Sequence, residues 1–169
     1  MTIITPPEAL VTLLKPWADF YGHSKAAETV VTFLHIAGTL LAGGLAIAAD
    51  RASLRALRLP AAQREAQMKE LAALHTTVIA GLTVVVLSGL ALLASDIETF
   101  FGSWIYWTKM GLIVLLLING LIMTRVENGL AADASDASPH WRTLKRTSVS
   151  SLVLWFVITF AGAALVNFS

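Results

Sequence analysis

Residues 30–49 read VVTFLHIAGTLLAGGLAIAA, a stretch without a single Asp, Glu, Lys or Arg. A helix of about 20 residues is long enough to cross the roughly 30 Å of hydrocarbon in a bilayer. Three further runs have a similar length and composition, at residues 71–94, 104–124 and 149–168. Because lipid offers no partner for an unpaired backbone group, each run is predicted to be a transmembrane helix.

The composition of the whole chain supports this prediction. Of 169 residues, 56% are hydrophobic and only 14% are charged, and the mean hydropathy is +0.72. An ordinary soluble domain carries about 25% charged residues, so the lipid bilayer is the expected partner of this surface. The short connections between the runs make neighbouring helices antiparallel. The expected fold is therefore all-α, an integral membrane four-helix up-down bundle over residues 29–169.

Charge and residue usage exclude several classes of function. The net charge is +1, so the chain has no strong basic field and nucleic acid is not an expected partner. The absence of cysteine excludes thiol nucleophiles and thiolate metal sites. The four runs contain no paired carboxylates, no nucleophile beside a histidine and an acid, and no phosphate-binding glycine loop. We therefore predict no catalytic residue and do not expect an enzyme.

Lysine and arginine lie mainly on one side of the predicted membrane. Short cytoplasmic loops are enriched in these residues. The loops after the first and third runs hold Arg51, Arg55, Arg58, Arg64, Lys69, Arg125, Arg142, Lys145 and Arg146, whereas the other side holds Lys15 and Lys25. This asymmetry predicts that both termini lie outside, in the periplasm of a bacterial inner membrane.

Residues 1–28 precede the first run and have a different pattern. Apolar and aromatic residues share roughly one helical side: Leu10, Leu13, Leu14, Trp17, Phe20 and Tyr21. Such a pattern predicts an amphipathic helix that lies on the outer leaflet, with a kink at Pro16. This segment either anchors over the mouth of the bundle or docks a partner protein. On the inner side, residues 61–70 are predicted to extend the second helix, and residues 127–139 to be flexible.

Three ionisable side chains lie inside the runs: His35, His75 and Lys109. Such groups are costly in lipid and indicate a functional site when they face the bundle. His35 shares a helical face with small residues, which permits close packing. A rise of 1.5 Å per residue places His35 about 7 Å from the outer boundary and His75 about 28 Å from it. The two histidines therefore lie in opposite leaflets, which disfavours a haem ligated by both.

One helical face of the third run extends from the depth of His35 to that of His75. It carries Lys109, Leu112, Leu116, Asn119 and Met123. The fourth run is predicted to turn a second face inward: Ser151, Trp155, Thr159, Gly162 and Val166. We predict a polar track through Lys109, Asn119 and Thr159, with His35, His75 and Met123 as candidate metal ligands.

Each of these residues also has a purely structural interpretation. His75 lies where an interfacial hydrogen bond is expected, and Lys109 can snorkel towards the outer headgroups. Asn119 and Thr159 are residues that commonly join helices, and Met123 suits core packing.

Short motifs of the sequence resemble a known family. The third run and its preceding loop contain Ser95-Asp96, Phe101-Gly102, Lys109 and Arg125, and the first contains His35 followed by Gly43-Gly44. Together with Leu144-Lys145-Arg146-Thr147-Ser148-Val149, they resemble the membrane domain of the copper resistance protein D family over residues 33–166. The resemblance implies an inner-membrane protein that handles copper, with His35 at the family's membrane histidine.

Three hypotheses follow. In the first, the chain binds or translocates a transition-metal cation, copper, with His35 as the first ligand inside the membrane. In the second, it is a non-catalytic accessory or assembly subunit of a larger membrane-protein complex, or it forms a homo-oligomer. In the third, it is an electron carrier that binds haem b through His35 and either a partner other than His75, such as Met110, or a non-protein ligand.

Overall fold

The computed structural model describes residues 5–132 and 140–168, except for the side chains at 61, 62, 65, 66, 68–76, 131, 132 and 168. In this part of the chain all regular structure is helical. The helices are α1 Glu8–His23, α2 Lys25–Ala56, α3 Ala61–Ser95, α4 Ile97–Gly102, α5 Trp104–Ala132 and α6 His140–Phe168. We call the end of the molecule that carries α1 and α4 the outer end, and the opposite end the inner end.

Four segments of the described chain are long and apolar enough to cross a membrane: Lys25–Ala56, Thr77–Ser95, Trp104–Leu130 and His140–Asn167. Each contains most of one predicted run. The prediction of an all-α, multi-pass membrane protein is therefore confirmed.

The long helices form two antiparallel hairpins. Helix α2 packs along α3, and α5 packs along α6. The hairpins meet through α2 and α6, whereas α3 and α5 barely touch. The order of the helices around the bundle is therefore α3, α2, α6, α5, and the bundle is open between α3 and α5.

Small residues allow the close approach of the helices in the first hairpin. A Cβ atom added at Gly81 would lie 3.0 Å from the Cβ of Ala42, and one at Gly38 would lie 3.0 Å from a methyl group of Val85. The residue pairs Ala42–Gly81 and Gly38–Val85 thus set the register of α2 against α3. Close packing of small residues is a main source of helix association in lipid.

The helix α1 lies against the outer end of the first hairpin. The indole Nε1 of Trp17 donates a hydrogen bond to the carbonyl of Ala91 at 2.8 Å. Leu13 and Phe20, beside Trp17 on the same face of α1, are 73% and 56% exposed. Pro16 lies inside this helix. These contacts agree with an anchor that packs over the bundle and leaves the side chains of Leu13 and Phe20 exposed to the outer leaflet.

The connections differ partly from the sequence predictions. Helix α3 begins at Ala61, so the predicted extension of the second helix is confirmed. Helix α5 continues to Ala132, so the prediction of a flexible segment was wrong over residues 127–132; the remainder, 133–139, lies outside the described residues. The reason is packing, because Val126 and Leu130 of α5 form a buried cluster with Leu144 of α6. The short helix α4, capped by the Asp96 carboxylate that accepts from Thr99 N at 3.2 Å, was not predicted.

Candidate functional site

His35 is held in a defined orientation against α3. Its Nδ1 lies 3.1 Å from the hydroxyl oxygen of Ser88, and that hydroxyl lies 2.6 Å from the carbonyl of Val84. A serine hydroxyl has one proton, and the short contact to Val84 assigns that proton to the carbonyl. The Nδ1–H of His35 therefore donates to Ser88. In the neutral ring Nε2 then carries the lone pair, which is the state that binds a metal.

A glycine on α3 makes room for the imidazole. A Cβ atom at Gly89 would lie 3.2 Å from Cε1 of His35, so a larger residue there would press on the ring. Ser88, the acceptor of the ring proton, is itself buried. Ser88 therefore orients the imidazole of His35, and Gly89 leaves room for it.

Lys109 of α5 lies close enough to His35 to interact with it electrostatically. Its Nζ is 3.4 Å from the Cβ position of Gly162 on α6, and its side chain is half-buried. Lys109 forms no ion pair with a carboxylate among the described residues. His35 and Lys109 thus both lie in the outer half of the bundle, on α2 and α5.

Asn119 and Met123 make structural contacts further inward. The side-chain amide of Asn119 donates to the carbonyl of Thr147 at 3.0 Å, which ties α5 to α6. Met123 packs against the buried cluster that contains Leu144. Both contacts agree with the structural interpretations of these residues, helix joining and core packing.

The remaining predicted residues do not join this site. Thr159 is exposed, and its hydroxyl donates to the carbonyl of Trp155 at 2.8 Å within its own helix. Ile158 and Leu165 are buried instead, whereas Val166 is 82% exposed. The inward face of outer α6 is thus displaced by one residue, about 100° of helix rotation. The side chain of His75 lies outside the described residues.

The sequence analysis missed a second polar cluster at the inner end. Asp50 and Ser53 of α2 are buried against α6, as are Ser148 and Ser151 on the facing helix. Asp50 lies close to Ser151 of α6. Asp50 directly follows the run at 30–49, so the predicted spans left it outside the membrane. The spacing of these residues could have indicated the cluster. Asp50 and Ser53 are three residues apart, as are Ser148 and Ser151, so each pair lies on one face of its helix.

The fold and these two clusters define a multi-pass helical membrane protein with polar groups inside its bundle. Comparisons with protein-family models, with curated proteins and with solved structures find no match to the chain. In the described residues no group of three or more His, Asp or Glu side chains could hold a metal ion. Any metal held at His35 must therefore take most of its ligands from elsewhere.

Proposed function

We propose that this chain is a bacterial inner-membrane protein that binds a metal centre through Nε2 of His35 in the outer half of the bundle. The observation that carries the proposal is the hydrogen bond from Nδ1 of His35 to Ser88. Histidines that ligate metals commonly donate their other ring N–H in this way, which fixes the tautomer and the ring orientation.

Lys109 favours haem b as the form of that centre. A cation beside His35 raises the free energy of a bare copper ion held there, because like charges repel strongly where little water screens them. The same cation would be a charge partner for a haem propionate, which is anionic. A haem also brings four ligands of its own, so one histidine is a sufficient anchor from the described residues. Copper prefers soft sulfur ligands, and Met123 is engaged in the buried cluster of α5 and α6.

The proposed orientation follows from the distribution of basic residues. Arg51, Arg55 and Arg58 are adjacent to the α2–α3 connection at the inner end, and the last two of them flank the end of α2. The positive-inside rule places this end in the cytoplasm. The His35 site then lies in the leaflet nearest the periplasm. An accessory role in a larger membrane-protein complex stays a prediction, because a lipid and a partner protein could equally cover the apolar outer faces.

An absorption spectrum of the full chain, purified in mild detergent, tests the proposal. We expect a Soret band that is lost in His35→Ala and kept in His23→Ala, which removes an exposed histidine of α1. Metal analysis of the same samples distinguishes the two centres. Copper without a Soret band, lost in His35→Ala, would assign copper instead of haem. Neither haem nor copper dependent on His35 would show the proposal to be wrong.

A further inference from the structure

The inner end of the α2–α6 interface holds polar atoms whose hydrogen-bonding capacity is not met. Asp50, Ser53 and Ser148 are 2%, 0% and 0% exposed. The Oδ2 atom of Asp50 and both serine hydroxyls have no hydrogen-bond partner. Buried polar atoms are almost always paired, and an unpaired one costs free energy. Three such atoms together call for a ligand.

The register of α2 against α6 places these atoms at one level. Towards the outer end, Gly43 meets the ring of Trp155. Towards the inner end, Leu57 packs against the cluster that contains Leu144. Asp50 and Ser151 lie between these two contacts. One helical turn inward from that pair lie Ser53 on α2 and Ser148 on α6, because the helices are antiparallel.

The hydroxyls of Ser53 and Ser148 differ from those of several other residues in the described helices. Thr39, Ser88, Thr147 and Thr159 each donate to a carbonyl three or four residues earlier in their own helix. This local bond is the default for a hydroxyl inside an apolar helix. Ser53 and Ser148 do not make it. Their oxygens are therefore available to a third group that lies between the helices.

The negative charge and the oxygen atoms of this polar cluster indicate that its ligand is a cation. The Asp50 carboxylate has no ion pair among the described residues. Glu127 of α5 lies close enough to add negative potential. All the donors are oxygens, which suit hard cations. Calcium takes six to eight oxygens and commonly several carboxylates, whereas one carboxylate with three hydroxyls suits a small ion of single charge.

We propose that Asp50, Ser53, Ser148 and Ser151 form a binding site for one sodium ion, which joins α2 to α6. The ion supplies the missing partner for three buried oxygens and compensates the carboxylate. A buried unpaired charge is strongly destabilising, and a compensating charge removes that cost. Sodium therefore stabilises the contact between the two hairpins. The site lies at the end of the bundle opposite His35 and does not depend on what His35 binds.

Thermal unfolding of the full chain in detergent, at pH 8 and constant ionic strength, tests this site. Replacing choline chloride by NaCl should raise the Tm by about 5 °C or more once sodium is well above its Kd, as expected for a ligand of the folded state. Asp50→Asn should remove the sodium response. Ser148→Ala should weaken it at least threefold in half-saturating concentration, whereas Ser150→Ala, which removes an exposed hydroxyl nearby, should leave it unchanged.

Two outcomes would overturn the proposal. The first is an equal Tm in NaCl, KCl and choline chloride at the same ionic strength, because the protein then does not respond to sodium. The second is a sodium response that persists in Asp50→Asn and Ser148→Ala. Should Asp50→Asn fail to fold, titration of the unmodified chain followed by ²³Na line broadening, with Ser148→Ala as the comparison, decides the question: no broadening, or equal broadening in both, counts against the site.

Discussion

Gly43 of α2 lies directly against the indole of Trp155 on α6, so that a Cβ atom on the glycine would meet the ring at 3.0 Å. The two residues lie at the contact between the hairpins, on the outer side of the polar cluster. The neighbouring Gly44 has no atom within 4 Å of its Cβ position and is exposed. One member of this glycine pair therefore serves packing inside the bundle, and the other faces outwards.

This asymmetry predicts different effects of the same substitution at the two glycines. Gly43→Leu forces the side chain into Trp155, and overpacking of this kind costs about 1–3 kcal/mol. Gly44→Leu adds an apolar side chain towards lipid and should be close to neutral. Unfolding in a detergent and denaturant titration measures both free energies. Equal losses for the two variants would contradict the assignment of α2–α6 as the contact between hairpins.

Ser88 is predicted to tune the affinity of His35 for its metal centre. Ser88→Ala removes the acceptor of the Nδ1 proton, and loss of such a partner typically weakens metal binding about 10- to 100-fold. Ser95→Ala is the matched control on the same helix, since its hydroxyl bonds locally to the carbonyl of Leu92 at 2.7 Å. Haem titration of apoprotein followed in the Soret region gives both Kd values. An unchanged Kd in Ser88→Ala would show that the hydrogen bond does not act on the ligand.

Substitution of Lys109 is predicted to change the affinities for haem and for copper in opposite directions. Lys109→Gln removes a cation beside His35, so haem should bind about tenfold or more weakly because a propionate loses a charged partner. A bare copper ion should bind more tightly, because repulsion is removed. Lys145→Gln, at an exposed position near the inner end, is the control. Titrations with haem and with copper on these variants decide between the alternatives.

Asn119 is predicted to stabilise the second hairpin through its bond to the Thr147 carbonyl. Asn119→Ala should lower the free energy of unfolding by about 0.6–1.7 kcal/mol, the range of polar contacts between membrane helices. Asn167→Ala removes an amide that bonds only within α6, to Ala163 at 2.8 Å, and should have little effect. A loss in the control as large as in Asn119→Ala would show that the bond between the helices is not what stabilises the hairpin.

The orientation is accessible by cysteine labelling, because the chain contains no cysteine. Glu98→Cys in α4 and Arg58→Cys next to the α2–α3 connection both introduce thiols at exposed positions. A membrane-impermeant maleimide applied to intact spheroplasts should label Glu98→Cys and spare Arg58→Cys, while both should react after lysis. The reverse pattern would place the His35 site in the cytoplasmic leaflet.

The spans could be predicted from the sequence because the cost of exposing a backbone to lipid leaves few alternatives to a helix. The start of α3 at Ala61 followed from Pro60, which favours the first turn of a helix or the position before it. The tail of α5 could not be predicted in the same way. Residues 127–132 look like a loop by composition, and they are helical because Leu130 packs against Leu144, a contact that local sequence does not reveal.

Within the candidate sites, the inward position of a side chain was easier to predict for His35, inside the first hairpin, than for Asp50, between the two hairpins. The small residues beside His35 mark one helical face, so its inward position follows from α2 itself. The burial of Asp50 depends on the register of α6, which is distant in sequence. Thr159 was misplaced for a related reason, since a rotation of one residue in α6 exchanges it with Ile158.

The helix order α3, α2, α6, α5 has a consequence for biogenesis. Each hairpin can leave the translocation machinery with its own internal contacts complete. The contact of α2 with α6, along the part of α2 from Gly43 to Asp50, can form only after α6 has been synthesised. Two polypeptides separated between α4 and α5 would each carry a whole hairpin. Their co-expression should therefore reconstitute the protein, whereas fragments separated between α5 and α6 would leave a single helix, α5, without its main neighbour.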